Sequence, residues 1–365
     1  MKTLTLLRRE WLLLVSVGTV AAFWRWGPQL FAGLSNPFWL AFIFLWLFAV
    51  ILASALAVVR HADALAERLG EPYGTLILTL SVTAVEVMSI SAVMLHGANN
   101  PTLVRDTLFA VVMIILNGMV GLSLLAGGLR HAEQHYNLQG ANAFLGVIIP
   151  LAVFSLIMPD FTQTTPGPTL SQHQQIFLIV MSAGLYCAFL AIQTGRHRGF
   201  FTLGDQPIEH FVKVREPIFP HAVLLLAYMI PVVSLAEKLA HPIDYLVETL
   251  HFPDALGGLL IALLVATPEG IGAAKAALRN QLQRSMNIFL GSVLATIGLT
   301  VPAMIAVSHI TGRGIDLGLE HTDFVLLLLT LAVSVVTFAS GRTNILQGIV
   351  HLLLFASYVL LLIEG

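Results

Sequence analysis

Charged residues are scarce in this sequence: they make up 10% of 365 residues, whereas hydrophobic residues make up 57%. Because soluble domains carry roughly 25% charged residues, the composition excludes an ordinary water-soluble fold. The formal net charge is only −2 and no basic block occurs, so no nucleic-acid partner is predicted. Cys187 is the one cysteine, which excludes a disulfide or thiolate–metal framework within the chain. The partner that this composition indicates is the lipid bilayer.

Apolar runs fill most of the chain and predict an all-α polytopic membrane protein. A helix that crosses a bilayer needs ~20 apolar residues. The runs that meet or approach this length predict eleven transmembrane segments, at about 11–31, 37–59, 73–95, 106–129, 141–159, 176–195, 218–236, 255–275, 285–308, 323–340 and 343–363.

The first segment is ambiguous because a basic start followed by an apolar run is also typical of a signal peptide. Arg25 follows the run directly, and no small-residue cleavage site is evident. We therefore interpret residues 1–36 as a signal anchor, a peripheral transmembrane helix that precedes the rest.

The positions of Lys and Arg test this segment count, because cytoplasmic loops of membrane proteins are enriched in these residues. With the amino terminus inside, fourteen of the 18 Lys and Arg residues fall on the inner side. The remaining four fall outside: Arg25, Arg105, Lys238 and Arg313. This asymmetry predicts a cytoplasmic amino terminus and an outer carboxyl terminus.

Two of the predicted segments carry a glutamate at their centre. Glu86 is the only charged side chain between Tyr73 and Leu95, and Glu269 has the same place in "GGLLIALLVATPEGIGAAKAAL". A carboxylate at the bilayer centre costs at least ~2.5–3.5 kcal/mol, so such residues mark functional sites by default. A structural role inside the helix bundle is the simpler alternative for one such glutamate, but two at matching places favour function.

The two glutamate segments belong to a longer internal repeat. Each is followed by a short loop and a helix that opens with an arginine, Arg105 or Arg284. We predict a first five-helix repeat at 37–195, a cytoplasmic linker at 196–217 and a second repeat at 218–365. Five is an odd number, so the repeats enter the membrane from opposite sides, as in secondary transporters.

A two-fold axis in the membrane plane would bring Glu86 and Glu269 to the same depth. Two adjacent buried carboxylates cannot both stay ionised unless a cation lies between them. The pair therefore has two low-energy states, protonated or bound to a hard cation, and exchange of one for the other is proton-coupled cation transport. The ions are cargo, so no cofactor is predicted, and a monomer is sufficient.

Further oxygen ligands are predicted around the pair. Pro268 cannot donate a backbone hydrogen bond and is expected to push Thr267 out of helical geometry, which would free carbonyls near Ala266 and Thr267. A similar break near Thr83 follows from the repeat symmetry. Asn117 and Thr296 each lie twelve residues after the arginine of their helix and could supply side-chain oxygens or interhelical hydrogen bonds.

Other classes of protein are less consistent with the sequence. An ion channel would show a filter sequence or rings of like residues, which are not evident. An intramembrane hydrolase would need a nucleophile with a base, or a metal motif. His351 is interpreted as a hydrogen-bonded histidine of the bundle, with proton relay as the alternative.

Several stretches resemble the calcium/cation antiporter superfamily, and within it the bacterial ChaA-type calcium/proton antiporters, over essentially the whole chain. They are "VVRHADALAERLGEPYGTLILTLSVTAVEV" (58–87), "TLVRDTLFAVVMI" (102–114), "TPEGIGAAKAALRNQLQRSMNIFLGSVLATIGLTVP" (267–302) and "SGRTNILQG" (340–348). The resemblance implies one peripheral helix plus two inverted five-helix repeats, with Glu86 and Glu269 as ligands of cation and proton. It also implies a location in the inner membrane of a bacterium.

The sequence departs from the superfamily at the ligand positions. Its members usually carry asparagine three residues before each glutamate, where this chain has Thr83 and Ala266. We predict export of calcium in exchange for inward protons. A sodium- or potassium-selective proton antiporter is the alternative.

Overall fold

The structure is a computed structural model, which describes residues 10–70, 73–96, 100–131, 133–202 and 218–364. Within these residues the chain forms eleven long helices, as predicted. We number them α1 (Trp11–Phe31), α2 (Pro37–Leu69), α3 (Tyr73–Met94), α4 (Leu103–His131), α5 (Leu138–Phe161), α6 (Gln172–Arg196), α7 (Ile218–Thr249), α8 (Ala255–Leu278), α9 (Leu282–Thr311), α10 (His321–Thr337) and α11 (Ile345–Glu364).

Nine of these described helices are long and apolar enough to cross a membrane. Helix α10, with 17 residues, is shorter, and α1 is not among the nine. The chain is thus a multi-pass membrane protein. Most of the predicted linker, 203–217, and five of the basic residues in the charge count lie outside the described residues: Lys2, Arg8, Arg9, Lys213 and Arg215.

Several helices are longer than the apolar runs that predicted them. Helix α2 extends to Leu69, about ten residues past the predicted boundary, because its last turns, "RHADALAERL", are rich in helix-forming Ala, Leu and Arg. Its start has a clear local cause. Asn36 accepts hydrogen bonds from the backbone N–H groups of Phe38 and Trp39, and Pro37 occupies the first turn.

Five helical stretches among the described residues are wider than a normal α-turn, with π-type hydrogen bonds. They lie at Ile114–Met119, Val153–Ile157, Ile192–Arg196, Tyr245–Thr249 and Thr296–Thr300. Single π-turns inside α-helices are rare and are found frequently at functional sites. The turns in α4 and α9 contain Asn117 and Thr296, two of the predicted site residues.

The described chain divides into two compact units that differ from the sequence repeats. Unit 1 comprises residues 1–99 and 213–268, and unit 2 comprises 100–212 and 269–365. Each unit therefore takes helices from both predicted repeats. The second division falls inside α8, between Pro268 and Glu269.

Unit 1 is built on the packing of α2 against α7, with α1 and α3 also in contact with both. Its core consists of aliphatic and aromatic side chains, among them Phe23, Ile43, Leu47, Tyr228 and Leu235, all nearly inaccessible to solvent. Burial of such side chains supplies the packing contacts on which helix association depends.

In unit 2, α4 is the most enclosed of the long apolar helices. Of the residues in its most apolar stretch, 83% are buried, compared with 28% for α11. Helices α4 and α11 cross closely at two glycines. A Cβ on Gly348 would lie 3.0 Å from the carbonyl oxygen of Gly121. A short antiparallel pair, β1 (Gln134–His135) with β2 (Arg342–Thr343), joins the loops after α4 and α10.

Candidate functional site

Glu86 lies in the middle of α3, in unit 1, and is 2% exposed. Thr83 is buried one turn earlier, and residues three apart share one face of a helix. Helix α3 is continuous from Tyr73 to Met94, so the predicted break near Thr83 is wrong. Thr and Val residues keep helical geometry in this segment because it contains neither proline nor an internal glycine after Gly74.

The predicted disruption before Pro268 is also wrong. Thr267 remains inside the continuous helix α8, and its hydroxyl donates to the carbonyl oxygen of Leu263 at 2.5 Å. Ala266 is buried at 1% exposure and Thr267 is half-buried. Prolines are tolerated inside membrane helices because side chains of Ser and Thr and neighbouring helices bond the freed backbone groups.

Glu269, the second predicted carboxylate, belongs to unit 2 and is half-buried. One of its carboxylate oxygens accepts a hydrogen bond from the hydroxyl of Ser292 on α9. Its neighbour Gly270 packs so closely on the side chain of Met119 that an added Cβ would overlap it. Unit 2 therefore holds Glu269 between α9 and the π-turn of α4.

Ser292 was not among the predicted site residues. It lies four residues before Thr296 and thus on the same face of α9. A search for polar residues at helical spacing from Thr296 would have found it, whereas comparison of the two repeats would not, because Met113 occupies the corresponding place in α4, eight residues after Arg105.

Asn117 and Thr296 lie in the π-turns and are both buried, at 0% and 3% exposure. The amide nitrogen of Asn117 donates to the hydroxyl of Thr330 at 2.8 Å. Its amide oxygen lies 3.1 Å from Nδ1 of His351. The side chain of Asn117 thus makes the interhelical hydrogen bonds that were one of its two predicted roles.

His351 continues this chain of hydrogen bonds toward the α10–α11 corner. Its Nε2 lies 2.9 Å from the hydroxyl of Thr337, whose backbone oxygen accepts from the hydroxyl of Tyr136 at 3.3 Å. Burial raises the pKa of Tyr136 to about 12, so this hydroxyl keeps its proton at physiological pH. His351 is a hydrogen-bonded histidine of the bundle, as interpreted from the sequence.

A second charged group in unit 2 was missed. Arg105, predicted to open its helix on the outer side of the membrane, is 8% exposed. Its Nε donates to Asp106 at 2.8 Å and its Nη1 to the backbone oxygen of Gly318 at 3.1 Å. It lines a cavity of about 280 Å³ together with Asp160 and Glu320. A sequence does not show that a terminal arginine will be buried, because that depends on which helix ends meet.

Comparison with known proteins identifies the family. The sodium/calcium exchanger protein family matches residues 39–195 and 220–364, which is most of the chain. The chain belongs to the sodium/calcium exchanger family. The resemblance inferred from the sequence is therefore confirmed.

Two curated relatives represent this family. The chain is 42% identical over 316 residues to the sodium-potassium/proton antiporter ChaA of Escherichia coli, covering 85% of this chain and 86% of that protein. It is 22% identical over 275 residues to the Ca²⁺/H⁺ antiporter ChaA of Bacillus subtilis, covering 71% of this chain and 76% of that protein.

The structure of native YfkE has the same fold, with a TM-score of 0.75 at 19% identity. The match covers 97% of this chain and all of that one. The predicted fold class, an all-α polytopic membrane protein of about eleven helices, is confirmed.

Proposed function

We propose that this exchanger-family chain is a proton-coupled cation antiporter in which Glu86 and Glu269 are alternately protonated and bound to the cation. The observation that carries the proposal is the placement of these carboxylates. Each occupies the interior of a helix long and apolar enough to span the membrane, and Glu86 is almost completely buried. Intramembrane carboxylates are costly and are kept for ion or proton pathways. Membership of a transporter family supports transport over catalysis, so we propose no enzymatic activity.

The repeat arrangement supports alternating access. The family matches the chain twice, at 39–195 and 220–364, close to the proposed repeats 37–195 and 218–365. Inverted repeats of this kind bind substrate near the membrane midplane. Ser292 belongs in the proposed ligand set as a partner of Glu269. Thr83, Ala266, Thr267 and Thr296 are further proposed sources of oxygen, whereas Asn117 would have to exchange its contact with His351 for the ion.

Calcium is the ion that the paired carboxylates favour, because one divalent ion neutralises both. The E. coli relative at 42% identity is named a sodium-potassium/proton antiporter, and this favours a monovalent ion as the second candidate. Calcium-coupled and monovalent-coupled exchange differ in which ion drives proton movement, so one assay of proton flux distinguishes them.

The test uses purified protein in proteoliposomes and records proton flux driven separately by calcium, sodium and potassium. Glu86→Gln and Glu269→Gln keep the side-chain volume but cannot lose a proton or bind a cation by charge. We expect each variant to abolish exchange with every ion while the protein still inserts and unfolds cooperatively. Glu364→Gln at the exposed end of α11 is the matched control and should transport like the parent. Full flux in either Glu86→Gln or Glu269→Gln would refute the two-carboxylate mechanism.

A further inference from the structure

A buried polar cluster surrounds Glu10, the residue that immediately precedes α1. It is far along the sequence from the proposed transport carboxylates. We call it the Glu10 cluster: Glu10 from the start of α1, Arg60 and His61 from α2, and His221 and Tyr228 from α7. Hydrogen bonds and ion pairs join these titratable groups within the described part of unit 1. Four of the five side chains are buried, and Arg60 alone is exposed, at 56%.

Among the described residues, three polar side chains lie near the carboxylate of Glu10. Its Oε2 accepts hydrogen bonds from Arg60 Nη2 at 2.6 Å and from the Tyr228 hydroxyl at 2.7 Å. Nε2 of His61 lies 3.7 Å from the same oxygen. Charge-assisted bonds of this length are strong, so Glu10 joins the start of α1 to both α2 and α7.

The contacts of the two histidines define where their protons lie. Arg60 Nη2 is 3.3 Å from His61 Nε2, and because a guanidinium only donates, that ring nitrogen accepts. The proton of neutral His61 is then on Nδ1, which donates to Nδ1 of His221 at 2.9 Å. His221 carries its own proton on Nε2. In this arrangement both rings are neutral and each of the contacts named above has one donor.

One added proton breaks this arrangement. If Nδ1 of His221 is protonated, it becomes a donor, so His61 must accept there and move its own proton to Nε2. A proton on Nε2 opposes the donor of Arg60 but faces Oε2 of Glu10. Arg60 is largely exposed and can turn to solvent, whereas the two buried rings cannot.

We propose that the Glu10 cluster is a proton-binding site separate from Glu86 and Glu269, in which proton uptake by the His61–His221 pair replaces Arg60 with His61 as the partner of Glu10. The replacement changes how the start of α1 is held against α2 and α7. Since α3, which carries Glu86, packs on the same two helices, the cluster regulates transport by pH. The regulatory part rests on the proposed antiporter function.

The first test is the pH profile of transport. Cation-dependent proton flux is measured in proteoliposomes at saturating cation, with the same starting pH on both sides, from pH 5.5 to 8.5. His221→Asn places an amide oxygen near the position of Nδ1, so it accepts from His61 but binds no proton. We expect this variant to lose a component of the profile between about pH 5 and 8, the interval in which histidines titrate. His135→Asn, at an exposed histidine of β1, is the control and should keep the parent profile.

For a second variant we expect the pH profile to shift, whereas for the first we expect it to lose a component. Arg60→Gln removes the positive charge and the competing donor beside His61, so the pair should take up its proton at a higher pH. Arg60 is exposed enough for this variant to fold even if His221→Asn does not. If the parent transports and neither variant changes the profile, the proposal is wrong.

The proton site can also be measured without transport. In the parent protein, acidification should lower Tm in detergent as the pH falls below about 6.5, the ordinary pKa of histidine, because the added proton replaces the Arg60–Glu10 bond and leaves the cluster with a net positive charge. The same fall should persist in Glu269→Gln and be reduced in His221→Asn. A parent that moves no protons with any cation would refute the antiporter proposal but leave this Tm comparison intact. An equal fall in His221→Asn would refute the proton site.

Discussion

At the first turn of α4, the guanidinium of Arg105 lies beside the carboxylate of Asp106, and both side chains are less than one-tenth exposed. Removal of one member of a buried ion pair leaves the other charge uncompensated, at a cost of about 3–5 kcal/mol. We therefore expect Arg105→Ala to lower the free energy of unfolding by that order, measured as a clear fall of Tm in detergent.

Two further variants separate this pair from a general loss of positive charge. Arg105→Ala combined with Asp106→Asn removes the uncompensated charge and should recover part of the lost stability. Arg279→Ala, at an exposed arginine after α8, should change the free energy of unfolding by less than about 0.5 kcal/mol. Equal Tm values for Arg105→Ala and Arg279→Ala would contradict the ion-pair interpretation.

Among the helices, the crossing of α4 and α11 depends on glycine. A Cβ on Gly348 would lie 2.6 Å from the backbone nitrogen of Leu125, and backbone atoms cannot move without displacing the helix. We expect Gly348→Ala to destabilise unit 2 by about 1–3 kcal/mol, the usual cost of an overpacked core. Thermal unfolding in detergent measures it.

The matched control for this crossing is Gly184→Ala on α6, where an added Cβ meets no atom within 4 Å. Because alanine favours a helix over glycine by about 0.8–1.0 kcal/mol, this substitution should leave stability unchanged or raise it. If both substitutions changed Tm in the same direction and by the same amount, helix propensity rather than close packing would explain the Gly348 result.

For the whole molecule, the proposed mechanism makes protons and calcium compete. The deprotonated pair of Glu86 and Glu269 carries two negative charges, which one calcium ion or two protons neutralise equally. Lowering the pH should therefore weaken the apparent affinity for calcium while the flux at saturating calcium stays the same over a moderate range. Sodium or potassium leaves one negative charge, which is costly at low dielectric, so these ions should bind well only while one glutamate stays protonated. Monovalent transport should therefore be confined to a window of pH.

This prediction is checked by a series of calcium titrations of proton flux at different pH values, repeated with each monovalent ion. His221→Asn serves as the background in which regulation by the Glu10 cluster is removed. An apparent calcium affinity that does not change with pH would exclude a shared site for the ion and the protons.

The orientation of the chain is a second prediction for the whole molecule. The fourteen-to-four division of Lys and Arg predicts that the loop after α5 lies outside and the segment after α6 lies inside. In a Cys187→Ala background, Gln163→Cys should react with an impermeant thiol reagent in intact cells, whereas Thr202→Cys should react only after the membrane is opened. Both positions are exposed. Labelling of Thr202→Cys in intact cells would reverse the predicted topology.

The contrast between sequence and structure is clearest at two carboxylates. Glu86 was found from the sequence because a single charge inside a long apolar run is costly wherever the helix packs. Glu10 was not found, because it stands among polar residues at the start of α1 and looks like an ordinary surface charge. Its partner Tyr228 lies on α7, 218 residues away along the chain. The residues next to Glu10 in the sequence give no sign of this contact.

By itself, the sequence determined the number of helices, their approximate bounds and the two intramembrane carboxylates. The physical reason is local: in a bilayer each backbone polar group must be bonded within its own segment, so the length of an apolar run decides whether a helix spans. Only the tertiary structure decided which helices form each compact unit, the division of α8 at Pro268 and the burial of Arg105. The packing also kept Thr267 helical, against the local effect of proline. These features depend on contacts between helices that are distant along the chain, so no short stretch of sequence predicts them.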